Sequence, residues 1–392
     1  MKPAAVLWAG VLAGVLAASG PPAGAGEVRF AKTVVDRQFR SEGVAVGDVN
    51  HDGKTDIFAG DVWYEAPDWK MHEIRKVGKY EPAKGYSQCF ANFAQDVNGD
   101  GWIDSIVIGY PGGPCLWYEN PRNQPGHWKQ RTVAKSACNE TPLFVDLLGT
   151  GKPVLLFGTD GRITWYSVPK DTEGLWDAHP ISGPNAPGTA KFAHGLGVGD
   201  VNGDGRNDVI VTAGWWEAPQ DRTQGDWKFH KAPLGPNCAD MHAYDVDGDG
   251  VADVITSSAH AYGVWWFQQV RSDKGVEFKQ HEIHKAFSQT HALHLVDMNG
   301  DGVKDLVTGK RYFAHQGHDP GGKDPEIILC WFELRRQKTG GPKFIYHQID
   351  DDSGVGTQFE VTDFNGDGKP DIITSNKKGV HLFLQEPTPR RE

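Results

Sequence analysis

Six stretches of the chain place oxygen-bearing side chains at the same offsets, in the pattern D-x-N/D-x-D-G-x-x-D. They supply Asp48, Asn50, Asp52 and Asp56; Asp96, Asn98, Asp100 and Asp104; Asp200, Asn202, Asp204 and Asp208; Asp245, Asp247, Asp249 and Asp253; Asp297, Asn299, Asp301 and Asp305; and Asp363, Asn365, Asp367 and Asp371. Positions 1, 3, 5 and 9 offer side-chain oxygens, position 7 offers a carbonyl, and the glycine at 6 permits a sharp turn. Hard oxygen donors at this spacing suit Ca2+, and no loop has the Glu at position 12 that an EF-hand requires. A further copy, DLLGTGKPVL from Asp146, has Leu148, Thr150 and Val154 where ligands should stand. The expectation is six calcium sites and one empty loop.

A second set of residues interrupts this regularity with different chemistry. His194, His242 and His291 are candidates for a general base or for ligands of a transition metal, because neutral imidazoles serve both roles. Lys310 and Arg311 are candidates for neutralising a carboxylate or a developing enolate, and Tyr262 or Tyr312 for donating a proton. Glu42, Trp216, His260, His315 and Lys377 complete the set as candidate substrate contacts, with Trp216 and Tyr262 suited to stacking on a pyranose ring. Glu42 with Glu140 or Glu360 could alternatively form the carboxylate pair of a hydrolase.

The elements that position these residues follow from the repeat. The Asp loops and the degenerate copy start 45 to 66 residues apart, a period at which one supersecondary unit per repeat builds a propeller or solenoid. Each unit reads as an apolar strand, the Asp loop, a second strand such as DVIVTAG, an aromatic strand such as WYE at Trp63, and a fourth strand of the form W/F-x-x-H-x-I. Four antiparallel strands per unit predict an all-β, seven-bladed β-propeller. The last repeat lacks its fourth strand, and VRFAKTVVD near the start of the chain has that character. It is expected to close the ring and remove exposed sheet edges. In such a ring the Asp loops share one face, and the interrupting residues gather around the channel mouth on the other.

The Asp loop after a short apolar strand resembles the FG-GAP/VCBS repeats of integrin-like propellers, over nearly the whole chain after its leader. The resemblance implies a calcium-binding propeller. With the histidines placed, the sequence is also similar to sugar-handling members, including the propeller of aldos-2-ulose dehydratase and propeller polysaccharide lyases. Such propellers also include non-catalytic modules that bind glycans or proteins.

The remaining features bound the setting. An apolar run over Ala4–Ala18 ending before Ala23-Gly24-Ala25 reads as a signal peptide over residues 1–25, which predicts a secreted or periplasmic protein without a stable membrane anchor. Residues 26–392 read as one propeller domain. The formal charge of −11 speaks against a nucleic-acid partner, and six divalent ions would bring it near neutral. There is no recognisable dinucleotide fingerprint, phosphate loop or serine elbow. Cys89 and Cys138 enter neighbouring units and are positioned to pair. His72, His179, His230, His281 and His347 recur on fourth strands and read as structural, as do Trp63, Trp117, Trp215 and Trp265 on third strands. The leading expectation is a carbohydrate lyase or dehydratase working by β-elimination at the mouth; the rival is a binding propeller.

Overall fold

The second strand of each repeat is a short, nearly continuous apolar run, and it is buried along its whole length: Asp56–Ala59, Asp104–Ile108, Asp208–Val211 and Asp305–Gly309 show the pattern. A strand buried on both faces needs a sheet packed on either side, and radially arranged sheets provide that. The computed structural model describes residues 28–272 and 275–387, so the expected leader over 1–25 lies outside the described residues. Apolar clusters fill the seams between consecutive sheets, as where Phe58, Trp63 and Ile74 meet Val107, Tyr118 and Trp128. Among the described residues no helix is long and apolar enough to cross a membrane.

The all-β propeller arrangement is present, but the expectation of a seven-bladed ring is corrected: the free-standing blades number five. Five sheets are free-standing blades of four strands, and the remaining eight strands form one continuous sheet. The join is a parallel pairing of two innermost strands, Leu196–Gly199 and Asp240–Tyr244, with Leu196 opposite Asp240 and Val198 opposite His242. Its cause is local. A Cβ at Gly197 would run into the carbonyl of Met241, and one at Gly199 into the Ala243 side chain. Glycine at both positions lets the two backbones approach to hydrogen-bonding distance. At the other end of the ring, Phe30–Asp36 lies antiparallel on Gly379–Gln385 as the outer strand of the last sheet.

The fourth-strand histidines have a repeated task. His72 stacks on Trp63 with ring centroids 4.2 Å apart, His179 on Trp165 at 3.7 Å, His230 on Trp215 at 4.1 Å, His281 on Trp266 at 4.4 Å and His347 on Trp331 at 4.2 Å. Each pair sits directly across the third and fourth strands. In the second repeat, where the histidine is missing, a cation replaces it: Arg131, opposite Trp117, lies 4.9 Å from its ring; in the last sheet the same positions hold Thr33 and Leu382. One residue differs from the sequence expectation. Trp266, not Trp265, holds the stacking register, since Trp266 stands opposite Ile255 on the second strand and His281 on the fourth.

The Asp at loop position 9 is also a fold residue. Asp56 accepts the Val49 amide at 2.9 Å and the Ala66 amide at 2.8 Å, which ties the loop to the end of the third strand. Asp208 does the same with Val201 and Ala218, and Asp371 with Phe364 and Gln385. From the same strand ends, Asn120, Gln269 and Gln385 donate side-chain amides to Val49, Val201 and Met298 carbonyls of the preceding repeat at 3.0, 3.0 and 2.7 Å. These bonds bind consecutive units together on the Asp-loop face.

Candidate active site at the channel mouth

Opposite the Asp loops, segments that lead into inner strands and loops between second and third strands converge. Glu42, Glu140, His194 and His291 come from the former; His260, Arg311, His315 and Asp319 come from the latter. Backbone bonds fix their approach. The Glu140 amide donates to Ala193 at 3.0 Å, and the His291 and Arg311 amides both donate to the Gln289 carbonyl at 2.9 Å.

The Nε2 atom of His194 is the centre of the group. It lies 2.9 Å from His260 Nε2, 3.2 Å from His291 Nε2 and 3.5 Å from Glu140 Oε2, and His291 Nε2 is 3.3 Å from the same carboxylate oxygen. An imidazole nitrogen carries one proton or one lone pair, so His194 satisfies only one of these contacts as a donor. A cation at the point of convergence would satisfy several lone pairs together. Nitrogens bound to one zinc-like ion at about 2.0–2.1 Å stand roughly 3 Å apart, which is the spacing found here. The three imidazoles and Glu140 therefore fit a transition-metal ligand set.

Beneath them Arg311 is fully buried. Its Nε donates to Glu42 Oε2 at 2.8 Å and its Nη1 to Glu140 Oε2 at 3.3 Å, and its guanidinium lies 5.4 and 5.5 Å from the rings of Tyr86 and Phe90. Burial alone would raise the Glu140 pKa. Hydrogen bonds from His194 and His291, with the charge of Arg311, hold it well below the usual carboxylate range instead. Burial and Arg311 also push His291 well below the ordinary imidazole value, so it is neutral. His260 falls to about 4 through burial and its histidine neighbours.

The cluster opens into a cavity of about 430 Å³ lined by Tyr86, Phe90, Tyr110 and Phe192 together with Glu140, His194, His260 and His315. Tyr110 is 44 % exposed and Phe192 37 % exposed, with ring centroids 5.3 Å apart at the rim. Phe192 is held at φ 65° and His315 at φ 45°. Left-handed backbone at non-glycine residues is strained and concentrates at functional sites.

The expected residues do not all meet here. His194, His260, His291 and His315 do, and Arg311 supports them. His242 lies on the inner strand in a second cavity, of about 390 Å³, which it shares with Asp240, His294 and Glu360, and is close to the Leu293 carbonyl at 3.0 Å. Glu360 is therefore in a different cavity from Glu140, and Glu42 is locked onto Arg311. Lys310 spends its ammonium on the carbonyls of Gly321 and Asp324 at 2.8 and 3.1 Å. The Tyr262 hydroxyl donates to Asp324 at 2.7 Å at an exposed edge. Trp216 is only 3 % exposed and packs in a core seam against Phe229, so it is unavailable to a sugar. Tyr312 lies tilted against Phe313, with Lys378 over its ring. Lys377 donates to the Phe313 carbonyl at 3.1 Å and lies 4.5 Å from the Tyr86 ring; burial lowers its pKa to about 8. Cys89 and Cys138 are free thiols, which corrects the expected pairing.

The sequence pattern did not single out Tyr86, Tyr110, Phe192 or Asp319. The available signal was adjacency, since Phe192 precedes His194 by two positions and Asp319 follows His318 in the long loop of the sixth repeat.

On the opposite face the Asp loops share one internal geometry. In the loop from Asp200, the carboxylate of Asp200 accepts the amides of Gly203, Asp204 and Gly205, Asn202 accepts that of Asp204, and Asp204 accepts that of Arg206. The same set recurs from Asp363. Burial, reinforced by neighbouring loop carboxylates, raises Asp104, Asp208 and Asp305 to about 7. Concentrated oxygen donors with raised pKa fit a calcium ion. In the degenerate loop Arg222 reaches the Leu148 carbonyl and its charge lies near Asp146, which suits a loop without an ion.

The FG-GAP-like repeat family matches residues 245–308, and the FG-GAP repeat matches residues 192–222 and 355–380. No curated protein matches the chain. Among solved structures, BBS1N in complex with ARL6DN aligns with a TM-score of 0.52 at 11% identity, covering 93% of this chain and 98% of that one, and shares the fold. An Agrocybe aegerita lectin that recognises non-reducing terminal N-acetylglucosamine aligns at 0.44 and 14% identity over 93% and 86% of the two chains. A Bacillus licheniformis rhamnogalacturonan lyase aligns at 0.46 and 14% identity over 92% and 72%.

Proposed function

For a propeller that carries FG-GAP repeats, we propose an exported, calcium-stabilised carbohydrate lyase or dehydratase whose reactive centre is the channel mouth. The observation that carries this reading is the convergence of His194, His260 and His291 imidazoles with Glu140, at the base of a cavity with an aromatic wall that His194, His260 and Glu140 line and behind which His291 is buried. Tyr110 and Phe192 offer the exposed ring faces and edges on which a pyranose stacks. His194, His260, His291 and Glu140 would hold a divalent transition metal. Such an ion supplies positive charge where an enolate develops.

This chain's own groups supply the proton transfers. In a β-elimination a base removes the proton next to a carbonyl or carboxylate, a carbon–carbon double bond forms, and the bond from the β-carbon to its oxygen breaks. His315, whose side chain is 41% exposed at the rim, is placed to act as the base. The Tyr86 hydroxyl accepts the His315 amide at 3.0 Å and keeps its own proton to give to the departing oxygen. General acid–base groups of this kind contribute typically about 10²–10⁴-fold to rate.

The test combines elemental analysis of the purified protein with a screen of keto-sugars and uronic-acid glycans for ultraviolet absorbance from a new conjugated double bond. Calcium plus a transition metal, with an absorbance rise lost in His194→Ala and His291→Ala, is the expected result. Glycan binding with no absorbance change, insensitive to these substitutions but lost in Tyr110→Ala or Phe192→Ala, would establish the binding propeller instead; the exposed rim aromatics are the observation that favours it.

A further inference from the structure

Asp319 bears on two imidazoles of the mouth together. Its Oδ2 lies 3.0 Å from His260 Nδ1 and its Oδ1 3.0 Å from His315 Nδ1, and Gln289 Nε2 donates to Oδ2 at 3.2 Å. The His260 and His315 rings are nearly parallel, 16° apart with centroids at 4.5 Å, so one carboxylate serves both from the same side. The backbone carries a cost for this arrangement: Phe313, His315 and Gln316 stand at φ 55°, 45° and 52°, in the region that non-glycine residues rarely adopt.

We propose that Asp319 is a positioning residue that fixes His260 and His315 in the same tautomer, with the proton on Nδ1 and the Nε2 lone pair directed away from it. An ionised carboxylate only accepts, so a neutral imidazole facing it through Nδ1 must donate there. His260 Nε2 then has no proton, and at 2.9 Å from His194 Nε2 it is ready to accept or to ligate. His315 Nε2 likewise becomes the basic nitrogen of an Asp–His dyad, the orienting logic of hydrolytic triads. One side chain thereby prepares both a ligand and a base. Carboxylates in this relation to ligating imidazoles are worth about 10–100-fold in metal affinity.

The inference rests on the mouth being the reactive centre, and its test separates the two. Nitrogen-15 NMR of the metal-free full-length protein, labelled at histidine, reads the tautomers directly, and titration with Zn2+ alone reads the affinity. The expected result is Nδ1–H at both His260 and His315 in the wild type. In Asp319→Asn at least one tautomer should reverse, with Zn2+ affinity reduced about 10–100-fold and partly restored in Asp319→Glu. Nε2–H imidazoles in the wild type, or tautomers and affinity unchanged in Asp319→Asn, would overturn the assignment, as would two Zn2+ ions bound between His194, His291, His260, His315 and Asp319. Nδ1–H tautomers in a protein that binds no Zn2+ would uphold Asp319 and overturn the metal reading of the mouth. Should Asp319→Asn fail to fold, the wild-type tautomers alone decide.

Discussion

Arg311 donates from Nε to Glu42 Oε2 at 2.8 Å, joining residues 269 positions apart in the sequence. Both side chains are buried, and Glu140 is the other carboxylate on the same guanidinium. Removing one member leaves buried charge without compensation, so Arg311→Leu should destabilise the protein by about 3–5 kcal/mol. Denaturant unfolding checks this, and the double variant Arg311→Leu with Glu42→Gln should recover part of the loss. A midpoint unchanged in the single variant would show that the pair is not buried in solution.

Chelation should lower the melting temperature, because it leaves clusters of loop carboxylates facing one another. Calcium stoichiometry should fall by one in Asp200→Ala and stay constant in Asp146→Ala, since the degenerate loop lacks the donors. Equal calcium loss in both variants would contradict the division between these loops.

The junction of the eight-stranded sheet gives a steric prediction. In Gly197→Ala the new methyl group meets the Met241 carbonyl, and neither backbone can yield without breaking the parallel pairing. Overpacking of this kind costs about 1–3 kcal/mol or more. Hydrogen exchange should accelerate at Leu196–Gly199 and Asp240–Tyr244 before it does elsewhere; uniform exchange would count against the steric account.

Inside the channel, burial raises Glu360 to about 8 and Asp240 to about 7, next to His242 and His294, whose pKa values burial lowers. An unfolded Glu titrates near about 4.3. The folded state therefore holds the Glu360 proton more tightly, and the stability this contributes is complete below about pH 4 and lost as pH rises through about 8. Glu360→Gln should match the wild type near pH 4 and melt higher at pH 9, with Asp240 supplying the slope that remains. Parallel melting curves across that range would refute the assignment.

The stacked outer pairs allow a smaller test. His230→Ala removes a ring 4.1 Å from Trp215 and a partner 2.7 Å from Glu217, and a loss of about 0.5–1.5 kcal/mol is expected. The same substitution at His51, stacked on Trp102 at a loop tip, should cost less, because that contact lies outside the strand register.

What was legible in the sequence was whatever repeats. The Asp loops, the strand order and the recurring fourth-strand histidines follow from residues at fixed offsets, and FG-GAP repeats are matched directly. The merging of two units was harder to see, because GLGVGD at Gly195 differs from GVAVGD at Gly43 mainly by one glycine, and its effect depends on where Met241 lies. The mouth was legible in part: His194 and His291 were found as departures from the repeat, whereas Tyr86 and Asp319 matter through partners remote in the sequence, His315 for Tyr86 and His260 for Asp319. Trp216 and Lys310 have the right chemistry for the site, but packing and carbonyl acceptors engage them elsewhere.

The parallel pairing between Leu196–Gly199 and Asp240–Tyr244 has a mechanical consequence. A continuous strand pairing crosses that joint, while other units meet through side chains and isolated backbone bonds such as Glu140 to Ala193 and Thr357 to Glu42. His194 precedes one half of the welded sheet and His260 sits on a loop of the other. The two imidazoles thus hang from one continuous sheet, and strand pairing rather than side-chain packing alone sets the gauge between them.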